Sequence, residues 1–393
     1  MTRIPITRPC FGEKELKAVQ CPIETGWVVQ GPFVAEFERQ FAEFTGAAFA
    51  LATSSCTTAL HTALVCLDVK PGDEVIVPAF TWVATPNVVE YMSARPVFCD
   101  IDLDTFNIDS TQIEAHVTDR TVGIIPVHLF GLCADMDPIR EIASRHNLWV
   151  VEDAACAFGA TYSGQHAGTL ADIGCFSFHP RKNITTGEGG MLTTSHEGFH
   201  ARACSLRDHG ASCSDHARHT SSDPFVLPEF EQVGFNYRMT DIQAALGCAQ
   251  IERARWILGE RHRRARRYDE MLRDIDWLTT PHVPEGYRHG YQAYVCLLHP
   301  EAVRAENMGS LPFQRSTLMA WLEKVGIATR PGTHAPTLLD YYANKYSLRP
   351  EAHAKARVAD RLSLGLPLFP QMTDEQQDLV VQQLVACAAR CNG

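Results

Sequence analysis

The sequence predicts an α/β fold: a large domain with a mostly parallel sheet covered by helices, followed by a smaller C-terminal α+β domain. Three observations lead there. From residue 47 short apolar runs alternate with amphipathic segments, which is the pattern of parallel strands joined by crossover helices. After about residue 240 this gives way to roughly thirty residues of helical periodicity. The chain, at 393 residues, is also too long for one ordinary core. The expected domains are 1–250 and 251–393.

AAFALAT (47–53) reads as the first strand and CTTALHTALVCL (56–67) as a helix with Leu60, Ala63, Leu64 and Leu67 on one face. EVIVPA (74–79) follows the turn signal PGD and reads as a buried strand. WVATPNVVEYM (82–92) is expected to be helical, with Pro86 interrupting its first turns. PVFCDI (96–101), TVGIIPV (121–127) and LWVVED (148–153) continue the strands, and DMDPIREIASRH (135–146) is the helix between the last two. DIGCFSF (172–178) and GGMLTT (189–194) add two more. The long segment from Met239 to about residue 275 needs a bend, and its basic run, Arg261 to Arg267, reads as a solvated helix face. YQAYVCLLH (291–299) reads as a later strand.

Composition narrows the class. The apolar share of 45% and charged share of 21% are those of a folded globular chain. A net charge of −11 argues against a nucleic-acid surface. The N-terminus MTRIPITRPC has no signal-peptide core, and the longest apolar run (122–133) holds a proline and a histidine and is too short to span a bilayer. The expectation is a cytoplasmic protein with no membrane or nucleic-acid partner. None of the 14 cysteines forms a C-x-x-C pair, and most sit in apolar runs, where cysteine acts as a small hydrophobe. HGASCSDHARH groups His209, Cys213, His216 and His219, but without rigid ligand spacing it reads as a polar loop rather than a metal site.

In an open parallel sheet ligands bind beyond the carboxyl ends of the strands. Three such ends carry distinctive residues. TSSCTT (53–58) leads into a helix; its hydroxyls suit helix capping, and the free N–H groups there suit a phosphate. Neither G-x-x-x-x-G-K-[ST] nor G-x-G-x-x-G is present, so no nucleotide or dinucleotide loop is expected. Glu152 and Asp153 end another strand, suited to a ribose, a metal, a protonated ring nitrogen or a cap. FSFHPRKNITTGEGG (176–190) supplies Ser177 and one lysine, Lys182, before a glycine-rich turn. A phosphate cradle, a buried aspartate and a lysine that forms a Schiff base are what pyridoxal phosphate (PLP) requires. Burial, or Arg181 beside it, is expected to lower the Lys182 pKa and favour the neutral amine.

Several long motifs, in order, carry a resemblance: PGDEVIVPAFTWVAT (71–85), RPVFCDID (95–102), PVHLFG (126–131), VEDAACAFGA (151–160), FSFHPRKNITTGEGGMLTT (176–194), RDHG (207–210) and GFNYRMTDIQAALGCAQIER (234–253). The chain resembles the DegT/DnrJ/EryC1/StrS family of sugar aminotransferases, which have the PLP fold type I architecture of the aspartate aminotransferase superfamily. The resemblance implies that Lys182 holds the cofactor aldehyde and shuttles a proton, and that Asp153 faces the pyridine nitrogen. It places Thr57, the backbone at Cys56, and Ser177 at the phosphate, and Trp82 against the cofactor ring. Asn236 matches an asparagine that reaches the neighbouring subunit's phosphate, which implies a homodimer with shared sites. The family often has glycine where Cys56 stands, and glutamine, histidine or glutamate near the cofactor's phenolic oxygen where Cys156 stands. Dehydratase members carry histidine at the lysine position, and this chain keeps lysine. Trp27, in GWVVQGP, and His334, in RPGTHAPT, are substrate-side candidates. The implied reaction moves an amino group from glutamate to a keto sugar, expected to be a nucleotide-linked 4-keto-6-deoxyhexose. A 3-keto sugar or cyclitol substrate, and a PLP-bound regulatory protein without turnover, are the alternatives.

Overall fold

The computed structural model describes residues 3–213, 227–304, 311 and 313–391. Its centre is a seven-stranded sheet in the order β1-β9-β8-β5-β4-β2-β3. The strands are β1 (Phe49–Thr53), β2 (Glu74–Pro78), β3 (Arg95–Cys99), β4 (Thr121–Ile124), β5 (Trp149–Asp153), β8 (Ile173–Ser177) and β9 (Gly190–Thr194). β9 runs antiparallel to both of its neighbours, and the pairings from β8 through β3 are parallel. Val75, Ile76 and Val77 of β2 have no exposed surface, as expected of a strand covered on both faces.

The crossover helices include α3 (Cys56–Cys66), α4 (Ala84–Tyr91) and α5 (Met136–His146), and α6 (Glu197–Arg207) follows β9. Pro86 sits in the first turn of α4, where its missing N–H has no intrahelical partner to lose, so the helix runs on undisturbed. Two N-terminal helices lie outside the sequence expectation: α1 (Glu13–Thr25) and α2 (Pro32–Thr45). Phe37 and Phe41 of α2 bury completely. Their rings lie 5.0 Å from Phe178 and 4.9 Å from Phe176 respectively, seating α2 on β8 and the start of the lysine segment. The N-terminus of α2 is capped from a distance, with Asp241 Oδ1 accepting from the Gly31 and Val34 amides at 2.9 and 3.0 Å.

The long helical stretch divides at Arg253 into Asp241–Glu252 and Ala254–Leu272. Its basic run differs from expectation: Arg261 and Arg264 are buried. Arg261 Nη1 donates to the carbonyls of Tyr291 (3.0 Å) and Gln292 (3.2 Å), and Arg264 pairs with Asp374 and donates to Gln377 Oε1 at 3.0 Å. The helix turns these guanidinium groups inward to satisfy backbone and side-chain acceptors of the following segments, and that need is invisible to charge patterning.

A second sheet, β10-β12-β14-β13, is antiparallel and comprises β10 (Leu278–Thr279), β12 (Tyr294–Leu298), β13 (Arg330–Pro331) and β14 (Ser363–Leu366). The chain's first residues strap onto this region: the Ile4 amide donates to Gly326 O at 2.8 Å and the Leu368 amide to Ile6 O at 3.0 Å. A small third sheet joins β6 (Thr161–Tyr162), β7 (Gln165–His166) and β11 (Tyr287–Arg288). Among the described residues, no helix is long and apolar enough to cross a membrane, and no group of His, Cys, Asp and Glu is placed to hold a metal. His216 and His219 of the histidine-rich loop lie outside the described residues.

Gly190 fixes how closely the sheet approaches α3. It pairs with Thr53 on one side and Ser177 on the other. A Cβ there would lie 2.3 Å from the Ser55 carbonyl carbon and 2.6 Å from the Cys56 amide nitrogen. Gly190→Ala is expected to cost roughly 1–3 kcal/mol, from overpacking against backbone. It would lower the urea midpoint at constant m-value; an unchanged midpoint would show that α3 can retreat freely.

Candidate active site

Four strand ends converge at the carboxyl edge of the central sheet. At the first, Ser55 caps α3 through a reciprocal pair of bonds with Thr58: Ser55 Oγ accepts from the Thr58 amide (3.1 Å), and Thr58 Oγ1 from the Ser55 amide (3.0 Å). Among the described residues the amides of Cys56 and Thr57 find no acceptor. Both readings of TSSCTT therefore hold together: the hydroxyls cap the helix, and two N–H groups with the positive end of the helix dipole remain for an anion. Thr53, Gly190 and Ser177 stand in one row across β1, β9 and β8, which brings Ser177 beside this helix start.

Asp153 ends β5 and is buried. Its Oδ2 accepts from Thr85 Oγ1 at 2.7 Å, its Oδ1 from the Ala155 amide at 3.2 Å, and Thr85 in turn contacts Thr81 Oγ1 at 3.0 Å. Burial raises the carboxyl pKa above its ordinary value against the pull of these bonds and of Lys182. Glu152, one residue earlier, faces the opposite side of the sheet. There its carboxylate meets His128 Nε2 at 2.8 Å and accepts from the Gly168 and Leu170 amides at 2.6 and 2.8 Å. Because His128 Nδ1 accepts from the Ala134 amide (3.0 Å), the proton resides on Nε2 and is donated to Glu152. The two acids thus divide: Glu152 is consumed in the fold and Asp153 faces the site.

Lys182 lies on the loop between β8 and β9, where its Nζ donates to Cys156 Sγ at 3.1 Å. Cys56, Asp153 and Lys182 are close enough to perturb one another electrostatically. The Lys182 pKa runs opposite to the sequence expectation. Burial works to lower it, but Cys156, Cys56 and Asp153 together outweigh burial and hold it above the ordinary lysine value. Arg181 is exposed, so it does not supply the expected repulsion. Burial also pushes the Cys56 thiol well above its ordinary value.

The remaining candidates separate into groups. Trp82 is 56% exposed, with its ring 5.7 Å from that of His334. The two loops are joined by the Thr81 amide donating to His334 O at 3.0 Å, so the two candidates sit side by side. Asn236 is exposed, in a segment fastened to the start of α3 by the Ser54 amide donating to Tyr237 O at 2.8 Å. Trp27 has a local packing role: its Nε1 donates to Gln30 O at 3.2 Å and its ring closes over Gly31. Thr85 and Thr81 escaped the sequence reading; their spacing of four across the first turn of α4 is the only signal they leave.

These residues fit PLP. The two acceptor-free amides beside Ser177 suit its phosphate, the buried Asp153 carboxyl suits a protonated ring nitrogen, and Lys182 suits its aldehyde. Fold and site together define a PLP-dependent aminotransferase of fold type I. The model of the DegT/DnrJ/EryC1/StrS aminotransferase family matches residues 9–385, and the chain belongs to that family. It is 40% identical over 386 residues to the GDP-perosamine synthase of Caulobacter vibrioides, covering 98% of each chain. It is 36% identical over 379 residues to the spore coat polysaccharide biosynthesis protein SpsC of Bacillus subtilis, covering 96% of this chain and 95% of that one. Among solved structures, a Streptococcus pneumoniae protein assigned as a sugar aminotransferase, in its PMP form, superposes with a TM-score of 0.90 at 28% identity, covering 99% and 100% of the two chains. Its PLP form gives 0.89. The protein is a PLP-dependent sugar aminotransferase.

The raised Asp153 pKa has a sign that can be measured. Its contribution to stability is full below the unfolded carboxyl pKa of about 3.9 and is lost as pH rises through the folded value. Asp153→Asn removes that loss. In cofactor-free protein the Tm of the variant minus that of the wild type should therefore grow between about pH 4 and pH 8. A difference independent of pH would show that Asp153 titrates normally.

Proposed function

We propose that the enzyme moves the amino group of glutamate to a nucleotide-linked keto sugar, at C4 of a 6-deoxy-4-keto hexose. The observation that carries this reading is the convergence of Lys182 and Asp153 with the open N-terminus of α3 at one sheet edge. The substrate class is supported by the likeness to a GDP-perosamine synthase over almost the full length of both chains. When bound, PLP supplies an electron sink that stabilises negative charge on the carbon losing its proton.

The chain's own groups do the rest. With the cofactor bound, Lys182 Nζ would take the proton from the substrate carbon as general base and give it back as general acid. Asp153, oriented by Thr85 and the Ala155 amide, keeps the ring nitrogen protonated, and a cation there offsets the cost of its buried charge. Thr57, the Cys56 amide and Ser177 hold the phosphate. Trp82 would cover the ring, Cys156 would stand by its phenolic oxygen, and Trp27 and His334 would serve the substrate. Asn236 reaches the phosphate site of a second copy, which makes the working unit a homodimer. The large domain (1–250) carries this machinery, the smaller one (251–393) closes it, and the reaction takes place in the cytoplasm.

Product analysis with glutamate and a panel of 4-keto and 3-keto nucleotide sugars tests the substrate. Formation of a 4-amino product fits the reading; reaction with 3-keto sugars alone would replace it. Lys182→Ala should lower turnover at least roughly 10²–10⁴-fold. Conversion of glutamate to 2-oxoglutarate by this variant at the wild-type rate would remove Lys182 from the mechanism.

A further inference from the structure

A pocket opens at the edge of the central sheet opposite the candidate active site. Gly72 precedes β2 and Arg95 begins β3, so the pocket lies at the amino ends of these strands, whereas Asp153 and Ser177 end β5 and β8. A five-residue strand spans roughly 17 Å, so the pocket is separate from the catalytic edge. Its volume is about 610 Å³, within the range of small-molecule sites.

The lining combines aromatic faces with an arginine whose hydrogen-bond donors are not taken up. Tyr91 and Tyr341 are 57% and 56% exposed, and Tyr346 joins them in the wall. Glu90 already neutralises Lys345 and accepts from Tyr346 Oη at 2.6 Å, so neither the carboxylate nor the ammonium is left over. Arg95 is different. The carboxylate nearest to it, Glu74, is taken by Arg120 Nη2 and Thr118 Oγ1, each at 2.6 Å, while Arg95 Nη1 stays 3.9 Å away, beyond hydrogen-bond reach. Its guanidinium carbon lies 5.5 Å from the Tyr346 ring centre, and its side-chain N–H groups find no hydrogen-bond acceptor among the described residues. On the same wall Asn87 accepts from Tyr342 through Oδ1, which leaves its two amide hydrogens as donors.

We propose that this pocket binds a nucleoside diphosphate, independently of the catalytic site. The base lies against the exposed tyrosine faces, and the phosphates meet the Arg95 guanidinium and the Asn87 amide. A small inorganic anion would leave the tyrosines unused, and an uncharged aromatic ring would leave Arg95 unused. A ligand with both parts uses the whole lining. Arginine suits phosphate through its planar set of donors, and stacking on tyrosine tolerates any base.

Calorimetric titration of the cofactor-loaded enzyme with GDP, guanosine and orthophosphate tests this. GDP is expected to bind at least about 10-fold more tightly than either fragment, and Arg95→Met and Tyr341→Ala should each weaken it by roughly 10-fold or more. Both side chains lie on the surface and outside the catalytic machinery, so thermal stability and the glutamate half-reaction should stay at wild-type levels. GDP affinity unchanged in both variants would assign any GDP binding to the catalytic edge and overturn the proposal, as would guanosine binding as tightly as GDP. The half-reaction reports on the transaminase reading separately, so either can fail alone.

Discussion

The site depends on a carboxyl group and an ammonium placed out of water at the same end of the sheet. Alone, either charge would cost several kcal/mol to bury. Asp153 is held by Thr85 and the Ala155 amide, and those bonds, with Lys182 nearby, still do not bring its pKa down to the ordinary value. Lys182 shows the complementary balance, with the sulfur of Cys156 and the charges around it outweighing burial. A cofactor with a cationic ring nitrogen beside Asp153 would offset the cost of burying that carboxylate. The electrostatics at Asp153 thus favour a ligand with a cationic ring nitrogen, which is a physical reason for the site to hold PLP beyond the count of its hydrogen bonds.

That arrangement relies on the two-residue period of a strand. Glu152 and Asp153 are adjacent, so their side chains must leave the sheet on opposite faces. On one face His128 and two amides saturate Glu152 and tie β5 to the end of β4 and to the loop at 168–170. The His128 amide also donates to Asp153 O at 3.0 Å, so one residue braces both acids. The backbone under Asp153 is therefore fixed by a buried polar network in which each member has its partner, and such a network is costly to disturb.

Much of this was legible in the sequence because it follows from local pattern. The seven strands of the central sheet and the crossover helices announce themselves by period and by turn residues, and Asp153 and the segment that carries Lys182 stand at strand ends where ligands gather. What escaped depends on contacts between distant segments. Helix α2 is a plain amphipathic segment until its phenylalanines meet Phe176 and Phe178. Arg261 reads as solvated until the helix rotation turns it onto the carbonyls of Tyr291 and Gln292. The direction of the Lys182 pKa could not be read from its neighbours in sequence, since Arg181 points to solvent while Cys56, Cys156 and Asp153 arrive from three other elements. Thr85 has no motif of its own and is recognisable only once Asp153 is placed beside it.

The same long-range contacts explain how a lysine on a loop is held steady enough for proton transfer. The Lys182 amide donates to His179 O at 2.8 Å, which fixes the turn locally. Asn183 Nδ2 then donates to Phe158 O (2.8 Å) and Gly290 O (2.7 Å), and Gln292 Nε2 to Arg181 O (2.8 Å). The segment that makes these contacts leads directly into β12 of the second sheet, and its carbonyls at 291 and 292 are the ones that Arg261 grips. The buried arginine thus acts on the lysine through one intervening segment. A positioning shell of this kind gives a loop residue the constancy usually found only on helices and strands. It also makes the second sheet part of the catalytic apparatus, since the lysine loop is clamped between that segment and the carboxyl edge of β8.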